Sequence, residues 1–308
     1  MSRSHPPTLI TLTRQAIKRH HLIQQGDVVL VAISGGPDST ALLHVLSLLR
    51  EKLGFQLVAH GVDHGLRSEA QQELDQAARV AAHLSILFDR TRLSVQPGGN
   101  LQARARKARF QALMDAASRM QANCIATAHH ATDRAETVLL RLLQGAGPKG
   151  LAVLPPRSGY LIRPFLYASR LDIEAHVRRH QLPVSRDPSN QNPRFLRTRV
   201  RYHILPLLQS LNPQIEQHLC HLAEDLTQLF MPSDLVPSLP EFTDRTGTPF
   251  RSLPRTTRKA LQHLLQTRST TMRIALSKGS VAFYDKERNQ IMVEHPEKNI
   301  VELYPSKG

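Results

Sequence analysis

Cysteine is nearly missing from this chain of 308 residues. Cys124 and Cys220 are the only two, far apart and without a CxxC pair, which argues against a disulfide framework and a cysteine-built zinc site. No stretch approaches the ~18 continuous apolar residues of a membrane span. The opening MSRSHPPTLITLTRQ has one early Arg, two prolines and no apolar core, so no export signal is expected. Internal repeats and low-complexity tracts are absent. These absences point to a soluble, cytoplasmic protein with no membrane partner, and its length suggests roughly two domains. Acidic residues are also scarce, 25 against 40 Lys and Arg, for a net charge of +15. The imbalance is regional: residues 1–80 hold 8 basic against 7 acidic, residues 81–216 hold 20 against 8, and residues 217–308 hold 12 against 10. A middle segment of net +12 suits a polyanion such as nucleic acid, with a well-solvated basic surface as the rival reading.

What is present alternates. Helical periodicity over 8–21, 39–53, 69–84, 101–121, 133–144 and 170–181 is interleaved with apolar strands at 27–33, 56–62, 86–90 and 122–128. This predicts an α/β fold, doubly wound, with a mostly parallel sheet and helices on both faces. Ligands of such sheets sit beyond the carboxyl ends of the strands. Three motifs fall there, after Ile33, Val62 and Ala128.

The first is Ser34-Gly35-Gly36-Pro37-Asp38-Ser39. Two glycines allow a sharp turn and close backbone approach, and the following helix presents its positive end, so the stretch reads as an anion cradle. The bland rival is a strand-to-helix turn capped by Asp38 or Ser39. The Lys of GxxxxGK[ST] and the spacing of GxGxxG are both lacking. SGGPDS instead resembles the SGGxDS signature of the PP-loop ATP pyrophosphatase superfamily. That resemblance implies ATP held at Ser34, Gly35, Gly36, Pro37, Asp38 and Ser39, with attack at its α-phosphorus and release of pyrophosphate.

Further motifs narrow the resemblance: VDHGLR (62–67), RARKARF (104–110), TAHHATDRAET (127–137), LLRLLQGAGPKGL (139–151), DPSN (187–190), RTRVR (197–201) and LPLLQSLNP (205–213). The series over about 25–213 resembles the tRNA(Ile)-lysidine synthase family. It implies a ligase that uses ATP and Mg2+ to activate C2 of the wobble cytidine of isoleucine tRNA by adenylation and joins L-lysine there. The family pattern has Asn where this chain has Thr198, and Asp-Asp-Gln where it has Thr132-Asp133-Arg134. These departures weaken any role for positions 132, 134 and 198, and set a positive charge at Arg134 beside the cleft.

The candidate residues follow. Asp63, His64 and His129 join the cradle as nucleotide contacts. His60, His64, His129 and His130 lack tight ligand spacing, so they line the cleft in preference to holding zinc. Asp133 and Glu136 are either a helix-capping pair or a site for Mg2+ or the lysine ammonium. Asp38 and Asp133 are the metal candidates, and Glu136 the candidate for the ammonium. Arg106 and Arg109, three apart on one helix, either form a solvated face or counter charge at the α-phosphate. Arg197, Arg199 and Arg201 alternate, which suits one face of an extended segment entering a helix and meeting RNA or phosphate. Two other classes stay in play: a PP-loop tRNA thiolase, which would need a cysteine pair or iron-sulfur ligands, and a noncatalytic RNA-binding protein, which would not explain SGGPDS.

The expected domains are 1–216, catalytic and basic, and 217–308, a small, mainly helical tRNA-positioning domain. Within the latter, helices are read at 218–230 and 251–267, a proline-rich connector lies between them, and GSVAFYDKE and QIMVEH form a hairpin over Arg288-Asn289. Because the family often carries longer C-terminal extensions, the chain reads as a compact form. A homodimer is left open.

Overall fold

The structure is a computed structural model that describes residues 8–63, 69–93, 101–185 and 195–230, with shorter stretches between 260 and 302. The chain divides into two compact units, Met1–Thr227 and Gln228–Gly308.

The first unit alternates as the periodicity predicts: α1 (Leu9–Arg19), β1 (Val28–Ile33), α2 (Pro37–Leu53), β2 (Gln56–Asp63), α3 (Glu69–His83), β3 (Leu87–Arg92), α4 (Leu101–Arg119), β4 (Cys124–Ala126) and α5 (Ala131–Leu143). Next come α6 (Pro148–Leu151), β5 (Arg157–Ser158), β6 (Leu161–Ile162) and α7 (Arg170–Arg179). The six strands lie in the order β3-β2-β1-β4-β6-β5. All neighbours pair in parallel except β5, which runs antiparallel to β6 at the edge. β1 is central because Val29, Leu30, Val31 and Ile33 are all buried, leaving no polar alternation for a solvent face. α2 packs Leu42, Leu43, Leu46 and Leu49 into one core, while Leu113, Ala116 and Ala117 of α4 pack with Leu30 and Ile125 in another. The strand order reverses between β1 and β4. The carboxyl ends of those two strands therefore open a crevice, where SGGPDS and His129-His130 both fall.

Between Leu196 and Phe230 the chain is helical: α8 (Leu196–Arg199), a π-helical turn (Val200–Ile204), α9 (Leu205–Leu211) and α10 (Ile215–Phe230). Residues 197–201 are thus wound, not extended. At about 100° per residue, Arg197 and Arg201 share a face that Arg199 does not. α10 belongs with the first unit as far as Thr227, since Leu219 and Ala223 share a core with Ala135, Val138, Leu139 and Val200. Its Glu224 accepts from Arg19 Nη2 (2.9 Å) and the Tyr167 hydroxyl (3.0 Å). The boundary expected at 216/217 falls inside this helix.

In the second unit the described strands β7 (Arg273–Ala275), β8 (Val281–Asp285), β9 (Gln290–His295) and β10 (Lys298–Glu302) form an antiparallel sheet in the order β10-β9-β8-β7. The expected hairpin is the β8–β9 pair, with Asp285 opposite Gln290. Two further strands join it, so the described part of this unit carries more strand than the mainly helical expectation. Among the described residues no helix is long and apolar enough to cross a membrane.

Candidate active site at the reversal of the sheet

The cradle is built by a glycine in the left-handed region. Gly35 has φ +79°, and a Cβ there would stand 2.4 Å from the Glu73 carbonyl oxygen of α3. Only glycine meets both demands. Gly36, extended at φ −73° and ψ 164°, is the N-cap of α2, Pro37 opens the helix, and no side chain caps it. Asp38 and Ser39 therefore lie inside the first turn, and neither is the cap. Ser39 Oγ instead accepts the Ser34 N–H and bonds the Gly36 carbonyl, both at 3.1 Å, bracing the turn. The positive end of a 17-residue helix is left facing the crevice.

Opposite it, His130 is the N-cap of α5 and is buried. Its Nε2 lies 3.9 Å from Asp38 Oδ2 and 3.4 Å from Asp133 Oδ2, and its backbone N–H donates to Asp133 Oδ2 at 3.3 Å. Asp38 and Asp133 are thus drawn to one histidine from two different helices. Burial raises the Asp38 carboxyl above its ordinary range, with His130 pulling down and Asp133 pushing up. Burial would raise Asp133 as well, but His130 and Arg197 bring it below the ordinary value.

Glu136 is one turn further on, with its side chain 0% exposed. It accepts from Arg197 Nε (3.0 Å), Arg201 Nε (2.5 Å) and Arg201 Nη2 (3.0 Å). Asp133 Oδ1 takes Arg197 Nη2 at 2.8 Å and Arg201 Nη2 at 3.4 Å. Two carboxylates and two guanidiniums form one network. Burial works against the Arg201 charge, but the bond and charge of Glu136 hold its pKa above the usual value. Of the three alternating arginines, Arg197 and Arg201 are engaged here, and Arg199 is exposed on another side.

The other candidates sit around this centre. His129 Nδ1 is 3.0 Å from Thr127 Oγ1. Burial lowers its pKa to about 4, against the pull of Asp133 and helped by Arg163, Arg109 and Arg106. Those charges place the α4 arginines near the end of β4. Arg106 and Arg109 are themselves exposed. Asp63 ends β2, with Oδ2 3.8 Å from Arg92 Nε. His64 and the DPSN run lie outside the described residues. His60 is not at the crevice mouth: it is buried within β2, with Nε2 3.1 Å from Thr91 Oγ1 and Nδ1 3.3 Å from Asp89. Among the described residues no group of three or more His, Cys, Asp or Glu is arranged to hold a metal.

Two positions discounted from the sequence carry structural weight. Arg134 is buried and donates to the Val153 carbonyl (3.2 Å), so its charge does not stand in the cleft. Thr132 donates to Glu216 Oε1 (2.9 Å) and accepts the Arg170 N–H (3.3 Å), joining α5, α7 and α10. The sequence points to His64 and His129 as nucleotide contacts and to His130 only as lining the cleft, whereas His130 lies between the carboxylates. The signal was the cap position itself, since a residue at the N-cap of α5 faces the same crevice as the α2 N-terminus.

A parallel sheet that reverses beside a glycine turn and an uncapped helix is a PP-loop architecture, and the PP-loop domain family matches residues 10–208. The fold is also similar to that of the U34-tRNA thiolase NcsA from Methanococcus maripaludis, solved with its [4Fe-4S] cluster. The TM-score is 0.61 over 71% of this chain and 78% of that one, at 17% identity. Curated relatives include tRNA(Ile)-lysidine synthases of Geobacillus kaustophilus (36% identical, covering 84% of this chain and 60% of that protein) and Thermosipho africanus (34%, 72% and 53%). That of Thermobifida fusca is 36% identical, with 71% of this chain and 69% of the relative covered. The chain belongs to the tRNA(Ile)-lysidine synthase family of PP-loop proteins. It spans between about half and two thirds of the length of these relatives.

Proposed function

We propose that this chain is an ATP-dependent ligase that adenylates the wobble cytidine of isoleucine tRNA and joins the side-chain amine of L-lysine to its C2, releasing pyrophosphate and then AMP. The observation that carries the reading is the convergence of an uncapped helix N-terminus with Asp38, His130, Asp133 and Glu136 at the reversal of a PP-loop sheet. The names of the relatives point to tRNA(Ile) as substrate and lysidine as product.

The Ser34–Ser39 turn suits the phosphates of ATP, because glycine backbone and helix dipole together favour an anion without a lysine. Asp63, at the end of β2, and His129, three residues beyond β4, follow the strands on either side of β1 and are the further candidates for nucleotide contact. Arg106 and Arg109 supply the guanidiniums that charge growing at the α-phosphate requires. Mg2+ fits the donors: Asp38 is 44% exposed and is paired with no arginine among the described residues, and hard oxygens from one or two carboxylates plus phosphates complete such a site. Asp133 adds Oδ2, since Oδ1 is already shared by two guanidiniums. When bound, the ion neutralises phosphate charge. Glu136 and Asp133 are the carboxylates for the lysine ammonium, which enters by displacing part of the Arg197–Arg201 pairing.

Sulfur transfer does not suit these residues. Burial pushes both the Cys124 and Cys220 thiols up to about 12, and Cys220 Sγ is spent on the Ala131 carbonyl. Mass analysis of isoleucine tRNA incubated with the chain, ATP and lysine tests the proposal. A lysine-sized addition to one cytidine is expected, absent in Asp38→Ala. Unmodified tRNA with the folded wild-type chain refutes it.

A further inference from the structure

The segment that grips Asp133 and Glu136 has a second face. Phe195, the N-cap of α8, and Arg199, Tyr202 and His203 follow i, i+4, i+7 and i+8 spacing and form one stripe along α8 and the π turn. All four are exposed, Phe195 by 44% and Tyr202 by 43%. Among the described residues the side chains of Arg199, Tyr202 and His203 make no hydrogen bond or ion pair, and the Arg199 backbone N–H donates to the Phe195 carbonyl (3.2 Å). Between the two faces, Thr198, Val200 and Leu205 are buried and lock the rotation of the segment. The stripe is therefore held in place with both rings partly open to solvent.

We infer that Phe195 and Tyr202 are stacking platforms for unpaired bases of an RNA loop, with Arg199 between them meeting the intervening phosphate. Two aromatic rings and an arginine held rigidly on one face suit single-stranded RNA, whose bases stack on aromatic side chains and whose phosphates need a cation. Seven residues of helix separate the rings by roughly 10 Å, room for more than one nucleotide between stacked bases. Charge favours the same occupant, since residues 81–216 carry 20 basic against 8 acidic side chains. The opposite face of the segment is bonded to Glu136, so the stripe lies about one helix diameter, ~10 Å, from the carboxylates. Bases flanking a nucleotide held in the crevice fall within that reach. The inference rests on the RNA substrate proposed above and adds how the loop around the target base is held.

The test uses the full chain and an RNA stem-loop bearing the target cytidine in its loop, with 2-aminopurine at an adjacent unpaired position. Binding is read by anisotropy and stacking by the 2-aminopurine signal. Phe195→Ala and Tyr202→Ala should each weaken binding about 5- to 100-fold, the range for losing one base–aromatic stack. At least one should also abolish the fluorescence change, while Tyr202→Phe keeps it. Arg199→Gln should lower the salt slope by about 0.7. Wild-type affinity and signal in both alanine variants, with unchanged far-UV dichroism, overturn the inference alone. Unaltered RNA binding by Tyr202→Ala together with a changed sedimentation coefficient assigns the stripe to self-association and also overturns it. No stem-loop binding by the unsubstituted chain overturns this inference and the proposed RNA substrate together.

Discussion

Arg201→Met should destabilise the first unit by more than a surface ion pair is worth. Glu136 is fully buried, and two of its three bonds come from Arg201, which is itself only 23% exposed. Leaving a buried charge without its partner costs about 3–5 kcal/mol, whereas exposed pairs contribute about 0–1 kcal/mol. Arg197 keeps one bond to Glu136, but it is 43% exposed and screened by solvent, so it compensates only in part. The single variant should therefore cost about 2–3 kcal/mol, and Arg197→Met with Arg201→Met about 3–5 kcal/mol. Adding Glu136→Leu to the pair should recover much of the loss, because a buried ion cluster replaced by apolar groups of similar volume is often neutral. The three sites touch and will not be additive. The chain has no Trp, so urea unfolding is followed by far-UV dichroism. With a slope of roughly 2 kcal/mol per M, the single variant should move the midpoint by about 1–1.5 M. A shift below about 0.25 M in the double variant would mean the carboxylates are hydrated in solution, and the network would not be a structural element.

Gly35→Ala should lose ATP binding and stability together, because the left-handed φ and the Glu73 carbonyl 2.4 Å from the new Cβ both oppose it; normal ATP titration by a stable variant would refute the turn geometry. Burial, with the charges of His180, His44 and Arg179, lowers His176 to about 4. The unfolded chain then takes up the proton first, so stability present above pH 6.5 is lost as pH falls from 6.5 toward 4, by up to roughly 3 kcal/mol. Urea midpoints at several pH values should fall less steeply in His176→Gln than in the wild type, and parallel curves would assign the acid loss to other groups. Cys124→Ala with Cys220→Ala should leave tRNA modification working, and complete loss in a stable protein would bring sulfur chemistry back. A chain cut after Phe230 should fold, whereas one cut after Glu216 exposes the core that Leu219 and Ala223 cover and should be far less stable; equal urea midpoints would show that α10 does not belong to the first unit.

Much of this was legible in one dimension because it is local. Strand-helix alternation marks the parallel sheet, since apolar runs and 3.6-residue periods are properties of neighbouring residues. The cradle is also local: two glycines, a proline and a bracing serine within six residues close their own turn. What lay beyond the sequence was every choice that depends on a distant partner. Alternating arginines at 197, 199 and 201 have the same spacing on a strand or a helix, and only winding around a buried Val200 sent two of them to Asp133 and Glu136, some sixty residues away. Arg134 read as a cleft charge until packing turned it to the Val153 carbonyl, and α10 read as the start of a second domain until Leu219 and Glu224 found partners in the first. Sequence determined which residues form a cradle and which segments hold a sheet. Tertiary structure decided which charges meet, because a buried carboxylate must find its partners wherever in the chain they lie.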